Sequence, residues 1–343
     1  MPSRSESTAP NAALSRRDRL RALWKTWSLR LIFGMALLVF SEVIMWENPT
    51  AHSLPEWAGR VVLYLALGTL IVDLAVRWQV REIAGLAMLS GLYGLLSGVL
   101  INHDALIDLP LGLVVHALGL QTGAALYALL FFVTVMQGRE TTRLEIAVAA
   151  AIGLLWGIWV RWYPVQPGVD WQATTIETAT LWLIGGALVV GVLLALITPN
   201  FQVVRESDLT LRAWEWPLVV LPLLVALGVG LWTMTPIPVA PLFVAVVVAV
   251  LIVVALLIQR VPNEPSIMAE MLFSLPNPVT FVLLGVALLV AGTLSATIIG
   301  DNPDSIIGTV TYILIGAVGS LWLPVASVVI GVRAYRLSQV ESD

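Results

Sequence analysis

Ten runs of about twenty apolar residues, separated by short polar connections, constrain this 343-residue chain more than any other feature. Runs of that length, apolar on every side, read as helices that cross a bilayer. A membrane barrel would instead show segments of about ten residues alternating in polarity. Composition agrees: 59% of residues are hydrophobic and 12% charged. A soluble chain carries about 25% charged residues. In hydrocarbon every backbone polar group must be satisfied internally, which leaves helices as the spanning element. The expected fold class is therefore an all-α polytopic integral membrane protein.

The spans are expected near 28–46, 58–77, 82–101, 108–136, 143–163, 173–198, 213–235, 239–259, 277–300 and 305–333. They form one transmembrane domain, 28–336. It is flanked by a basic disordered tail, 1–27, and a short tail, 337–343. The first 27 residues are Ser/Arg-rich and lack the apolar core and cleavage site of a signal peptide. Sixteen of the 18 Lys and Arg residues fall on the side of the termini, and only Arg60 and Arg161 on the other. The positive-inside rule then places both termini in the cytoplasm. Tryptophans near span ends, such as Trp57, Trp78 and Trp232, fit an interfacial belt. Scarce Lys with abundant Arg, Ala, Leu and Val suggests a prokaryotic plasma membrane.

An ionisable group inside a span costs about 3 kcal/mol or more, so each one marks a candidate site. These are Glu42, Asp73 and His116, with polar Gln121, all in the first four spans, and Glu177 in the second half. On α-helical geometry Glu42 and His116 lie at matching depth on the outer side, about 8 Å from the middle of their spans, and are expected to pair. His103 and Asp104, in the next outer connection, extend the set. Ligand binding or proton handling is expected from Glu42, His116, Gln121, His103 and Asp104. Asp73 and Arg77, one helical turn apart, read as a surface ion pair. Gly91, Gly94 and Gly98, and the pair Gly153 and Gly157, provide small-residue faces for close helix packing.

Many functions have no support. The chain holds no cysteine, which excludes disulfides and thiolate chemistry. Asn102-His103-Asp104 is no metal-ligand motif, neither HxxxH nor HExxH occurs, and no catalytic constellation is legible. No metal or cofactor is expected, and no nucleic-acid partner. Expected partners are membrane lipids, a partner subunit of a larger complex, and a cytoplasmic protein docking at the 260–276 connection. Ten spans with both termini inside resembles, in topology alone, drug/metabolite exporters and the permeases of vitamin and siderophore importers. The Asn-Pro-Leu-Ala segment and glycine-rich coupling loop of the importers are missing here. A permease-like protein binding an apolar or lipid-like ligand in the outer half of helices 1–4 is the expected function. The alternatives are a non-catalytic subunit or scaffold of a larger membrane complex, and a lipid-modifying or intramembrane enzyme.

Overall fold

The computed structural model describes residues 16–47, 49–107, 109–160, 175–197, 206–260, 265–271, 276–299 and 306–340. Among these residues the chain is helical, with no strand. Ten long helices succeed one another. Helix α1 is Arg16–Leu38, continued by a π-helical stretch, Val39–Ile44. Then come α2 (Leu54–Arg77), α3 (Ile83–Leu100) and α4, whose first part, Gly112–Gln121, is again π-helical and whose second part is Thr122–Met136. The rest are α5 (Arg143–Trp159), α6 (Ile176–Ile197), α7 (Trp216–Thr233), α8 (Val239–Ile258), α9 (Pro278–Ile299) and α10 (Ile306–Val340).

Nine of these described helices are long and apolar enough to cross a membrane. The exception, α5, has 17 residues, about 26 Å at 1.5 Å per residue, at the lower limit for a span. The protein is thus an all-α, multi-pass membrane protein, as expected. Several boundaries differ from expectation. Residues 16–27, expected as tail, extend α1 as helix, and α10 runs on to Val340.

Local signals set the helix starts. The Glu56 carboxylate accepts the Ser53 backbone N–H (2.6 Å) and hydroxyl (2.8 Å), closing the first turn of α2. Thr142 and Glu145 cap α5 reciprocally, through the Glu145 N–H (3.3 Å) and the Thr142 N–H (2.7 Å). Helix α2 therefore begins four residues before its expected edge, with Arg60 in its second turn.

The bundle is lopsided. Helix α3 is its axis, with 16 of 18 residues buried. It lies against α4, α8 and α10 because its glycines leave no side chain in the way. A Cβ on Gly94 would fall 2.3 Å from the Ala117 carbonyl of α4, and one on Gly91 the same distance from Leu323 of α10. Gly98 meets Ala117 and Ala105. The second glycine pair docks α5 on α9: a Cβ on Gly153 would lie 2.1 Å from the Leu288 carbonyl, and one on Gly157 2.2 Å from that of Gly292. In α4 and α10, Gly119 and Gly316 pack backbone to backbone. Close approach of this kind replaces the hydrophobic drive that lipid removes. By contrast α8 buries only a narrow stripe, Ala245, Ile252 and Leu256, and presents the rest outward, as expected for a lipid-facing span.

Ser266–Met271 folds back onto the bundle. The Ile267 N–H reaches the Val80 carbonyl (2.9 Å), the Ser266 N–H reaches Glu206 (2.9 Å), and Met268 is buried.

Candidate functional site

The site lies at the end of the bundle where α1 turns into α2 and α3 into α4. Both polar-bearing spans are π-helical there: Ser41 and Glu42 on one stretch, His116 and Gln121 on the other. π-Helical turns bond i to i+5 and concentrate at functional sites. In α1 the pattern runs on past the helix, with the Met45 N–H on the Phe40 carbonyl and the Glu47 N–H on the Glu42 carbonyl, each 3.0 Å. Trp46 then takes a left-handed conformation (φ 61°), which turns Glu47 back over the bundle. His103, also left-handed (φ 63°), precedes Asp104 in the same way. Non-glycine residues held there cost about 1–3 kcal/mol each and cluster at functional sites.

Two linked polar groups result. Fully buried Glu42 takes Arg60 and the Tyr64 hydroxyl (2.7 Å) on Oε1, with His52 Nε2 3.5 Å from Oε2. Arg60 also donates to Asn102 Oδ1 (2.8 Å). Beneath them Ser41 and the Tyr93 hydroxyl are 2.6 Å apart. In the second group His116 Nε2 lies 2.5 Å from Glu47 Oε1, and His116 Nδ1 lies 3.0 Å from Asp104 Oδ2. Gln121 Nε2 donates to the same Glu47 oxygen (3.0 Å). Burial pushes the Glu47 carboxyl above its usual range, with His116 opposing and Asp104 adding to the rise. Burial holds the His103 imidazole below its ordinary value.

The expected Glu42–His116 pair does not form. Glu42 is taken by Arg60, and His116 by Glu47 and Asp104. The matched depths assumed α-helical rise and rotation, and the two π-helical stretches change both. His116, Gln121 and Asp104 do come together. His103 stands apart, its ring against Gly230 of α7. Glu47, His116 and Asp104 each offer a ligand atom within 4.8 Å of the others. The two carboxylates address opposite nitrogens of the ring, however, and one ion can take only one ring nitrogen. The arrangement suits a bridging imidazole better than a metal centre.

Asp73 and Arg77 form the expected ion pair, with Arg77 exposed but its partner Asp73 drawn inside. Asp73 is fully buried, takes Arg77 Nε at 2.6 Å, and accepts the Leu211 N–H, while Arg77 donates to the Leu211 carbonyl (2.9 Å). Beside them Arg30 and Glu215 form a buried ion pair (3.1 Å), and Arg30 also binds the Leu209 and Thr210 carbonyls. Both pairs clamp the 206–215 connection to α1 and α2. The sequence signal for this was Glu215, an acid just before an apolar run, matched to an arginine inside the first span.

Apolar space flanks the polar site. A groove of about 400 Å³ runs between α1, α4, α6 and α9, walled by Phe40, Phe131, Leu183, Leu188, Phe281 and others. Tyr127 is the only lining residue with a polar group on its side chain. A second groove, about 420 Å³, lies on the other side of α6, against α1 and α2. Val39 lines both. The second ends at Trp57, which stacks on Trp182 (5.2 Å) and meets the His52 ring edge-on (5.6 Å), next to Glu42.

No family model, curated protein or solved structure matches the chain. Fold and site therefore define it only as a multi-pass helical membrane protein with a buried polar cluster beside apolar grooves.

Proposed function

We propose that the protein is permease-like and binds an apolar or lipid-like molecule in the grooves on either side of α6. The observation that carries this is the pair of wholly or almost wholly apolar grooves, about 400 and 420 Å³, that share Val39 of the π-helical stretch. Ligand sites are typically 300–1,000 Å³, apolar, with a few polar groups nearby to orient the ligand. Both grooves lie along membrane-spanning helices, so the molecule at hand is an acyl chain or one of the same chemistry. His52, Arg60 and Glu42, past Trp57, supply the nearby polar groups. This sets the ligand along the flank of helices 1, 2 and 4 against α6 and α9, rather than among helices 1–4. The proposal includes a prokaryotic plasma membrane with both termini cytoplasmic and the polar cluster toward the outside. Sixteen of 18 cationic residues on one side support that orientation.

The test is photo-crosslinking with a diazirine-bearing fatty acid in lipid nanodiscs. The reading expects adducts concentrated on α6 and on Phe131 and Phe281. Adducts no denser there than on α8, which simply faces lipid, would contradict it.

A further inference from the structure

The polar cluster carries more charge of one sign than the described residues neutralise. Glu42, Glu47 and Asp104 face one permanent cation, Arg60. Neutrality then takes two further protons, and the groups placed to share them are His52, against Glu42, and His116, between Glu47 and Asp104. Uncompensated charge is too costly to bury, so protons are taken up instead. The remaining titratable neighbours are Tyr64 and Tyr93, from α2 and α3, exposed Glu56 at the start of α2, near His52 and Arg60, and His103 beside Asp104. Helix α10, packed on the far side of the His116 stretch, carries no Asp, Glu, His, Lys or Arg between Ile306 and Val332, and its one titratable residue there is Tyr312.

Asp104 is the exposed end of the group, and His116 and Glu47 are equally enclosed. The side chain of Asp104 is 27% exposed, that of His116 10%, and that of Glu47 9%. Gln121, fully buried, fixes Glu47 with its Nε2 and points an Oε1 without hydrogen-bond partner among the described residues into the same space. Glu42 Oε2 and Asn102 Nδ2 are in the same condition, and so is His116 Nδ1, whose 3.0 Å approach to Asp104 Oδ2 is an ion-pair contact without hydrogen-bond alignment. Buried polar atoms left so are rare, and they mark functional or hydrated positions.

We infer that Asp104, His116 and Glu47 form a proton-binding relay from the aqueous edge into the bundle. With the ring turned to align the 3.0 Å contact, a proton on Asp104 Oδ2 passes to His116 Nδ1, giving an imidazolium. The imidazolium releases its Nε2 proton to Glu47 Oε1. The ring ends neutral with its proton on Nδ1, Asp104 ends ionised, and Glu47 ends protonated. The relay is independent of the apolar grooves and needs no ligand for its test.

Only three histidines occur in the chain, so each is resolvable by NMR of the full-length protein labelled with ¹³C-histidine in nanodiscs. The His116 ring is expected to change its protonation signature as pH is varied. Glu47→Gln and Asp104→Asn should each move its midpoint down by about one to three pH units, since each removes a carboxylate at close range. An imidazole that stays at one limit throughout, or a midpoint that only one variant moves, overturns the relay. The His52 and His103 signals report whether the fold is intact. If Glu47→Gln fails to fold, Asp104→Asn at the more exposed position decides, and an unmoved midpoint there overturns the inference.

Discussion

Trp159 donates its indole N–H to the Ile44 carbonyl over 2.8 Å, from a position 115 residues further along the chain. Trp156, fully buried one turn earlier, points its N–H at the Val43 carbonyl (3.4 Å). Both carbonyls belong to the end of the π-helical stretch, where regular helix bonding has run out. Sequence alone assigns these tryptophans to the interfacial belt. In the structure they satisfy backbone acceptors that hydrocarbon could not.

Trp159→Phe should therefore destabilise the fold by about 1–3 kcal/mol, the cost of leaving one buried acceptor unpaired. Hydrogen exchange should rise selectively in residues 39–47. Unchanged exchange there would show that the bond does not hold the stretch.

Removing one partner of the Glu42–Arg60 pair leaves a buried charge alone. Glu42→Gln should cost about 3–5 kcal/mol in denaturation experiments. Combining it with Arg60→Gln should cost less than the sum of the two single changes. Strict additivity would mean that the two groups do not interact.

The 206–215 connection is held by Arg30 and Asp73. Glu215→Gln leaves Arg30 without its carboxylate, and should speed proteolytic cleavage within 206–215 while sparing the α3–α4 region. Equal cleavage in the variant and the parent would contradict the clamp.

Helix packing gives a paired comparison. Gly119→Ala places a Cβ 2.2 Å from the Gly316 carbonyl, whereas Gly123→Ala, four residues on, meets nothing within 4 Å. The first should lower stability by about 1–3 kcal/mol through overpacking. The second should be neutral or slightly stabilising, since alanine favours helix. Thermal melts of the two variants in the same detergent check this.

His103 supplies a pH dependence with a definite sign. Its folded-state affinity for protons is lowered by burial, so the unfolded chain binds the proton more tightly. Its contribution to stability is present above the ordinary value of 6.5 and is lost as pH falls through the folded value. His103→Asn, which tolerates the left-handed backbone, should shrink the drop in melting temperature between pH 7.5 and 5. A drop as large as the parent's would contradict it.

Much of the fold was legible because the period and length of apolar runs are local properties. The edges of α3, α6, α8 and α9 fall within three residues of those expected. The glycine faces of α3 and α5 were legible for the same reason. The partners of buried charges were not. Glu42 and His116 were recognised as costly groups, but their pairing depended on rotation set by two π-helical stretches, which no residue pattern announces. Arg60 is read from sequence only as one of two cations on the outer side, and its place as the partner of Glu42 is not legible there. Asp73 was read as exposed because its second partner, the Leu211 N–H, lies 138 residues away.

The apolar grooves are the central claim, and two glycines allow a direct test. Gly185 lines the groove toward α2 and Gly285 the groove toward α4, and a Cβ at either meets nothing within 4 Å. Leucine at each fills ligand space without displacing a neighbour. Native mass spectrometry of protein extracted gently from its membrane should show an apolar molecule or lipid retained by the parent. Retention should fall in Gly185→Leu and Gly285→Leu and persist in Gly228→Leu, where the glycine also meets open space but lines neither groove. Equal retention in all four proteins would contradict the assignment.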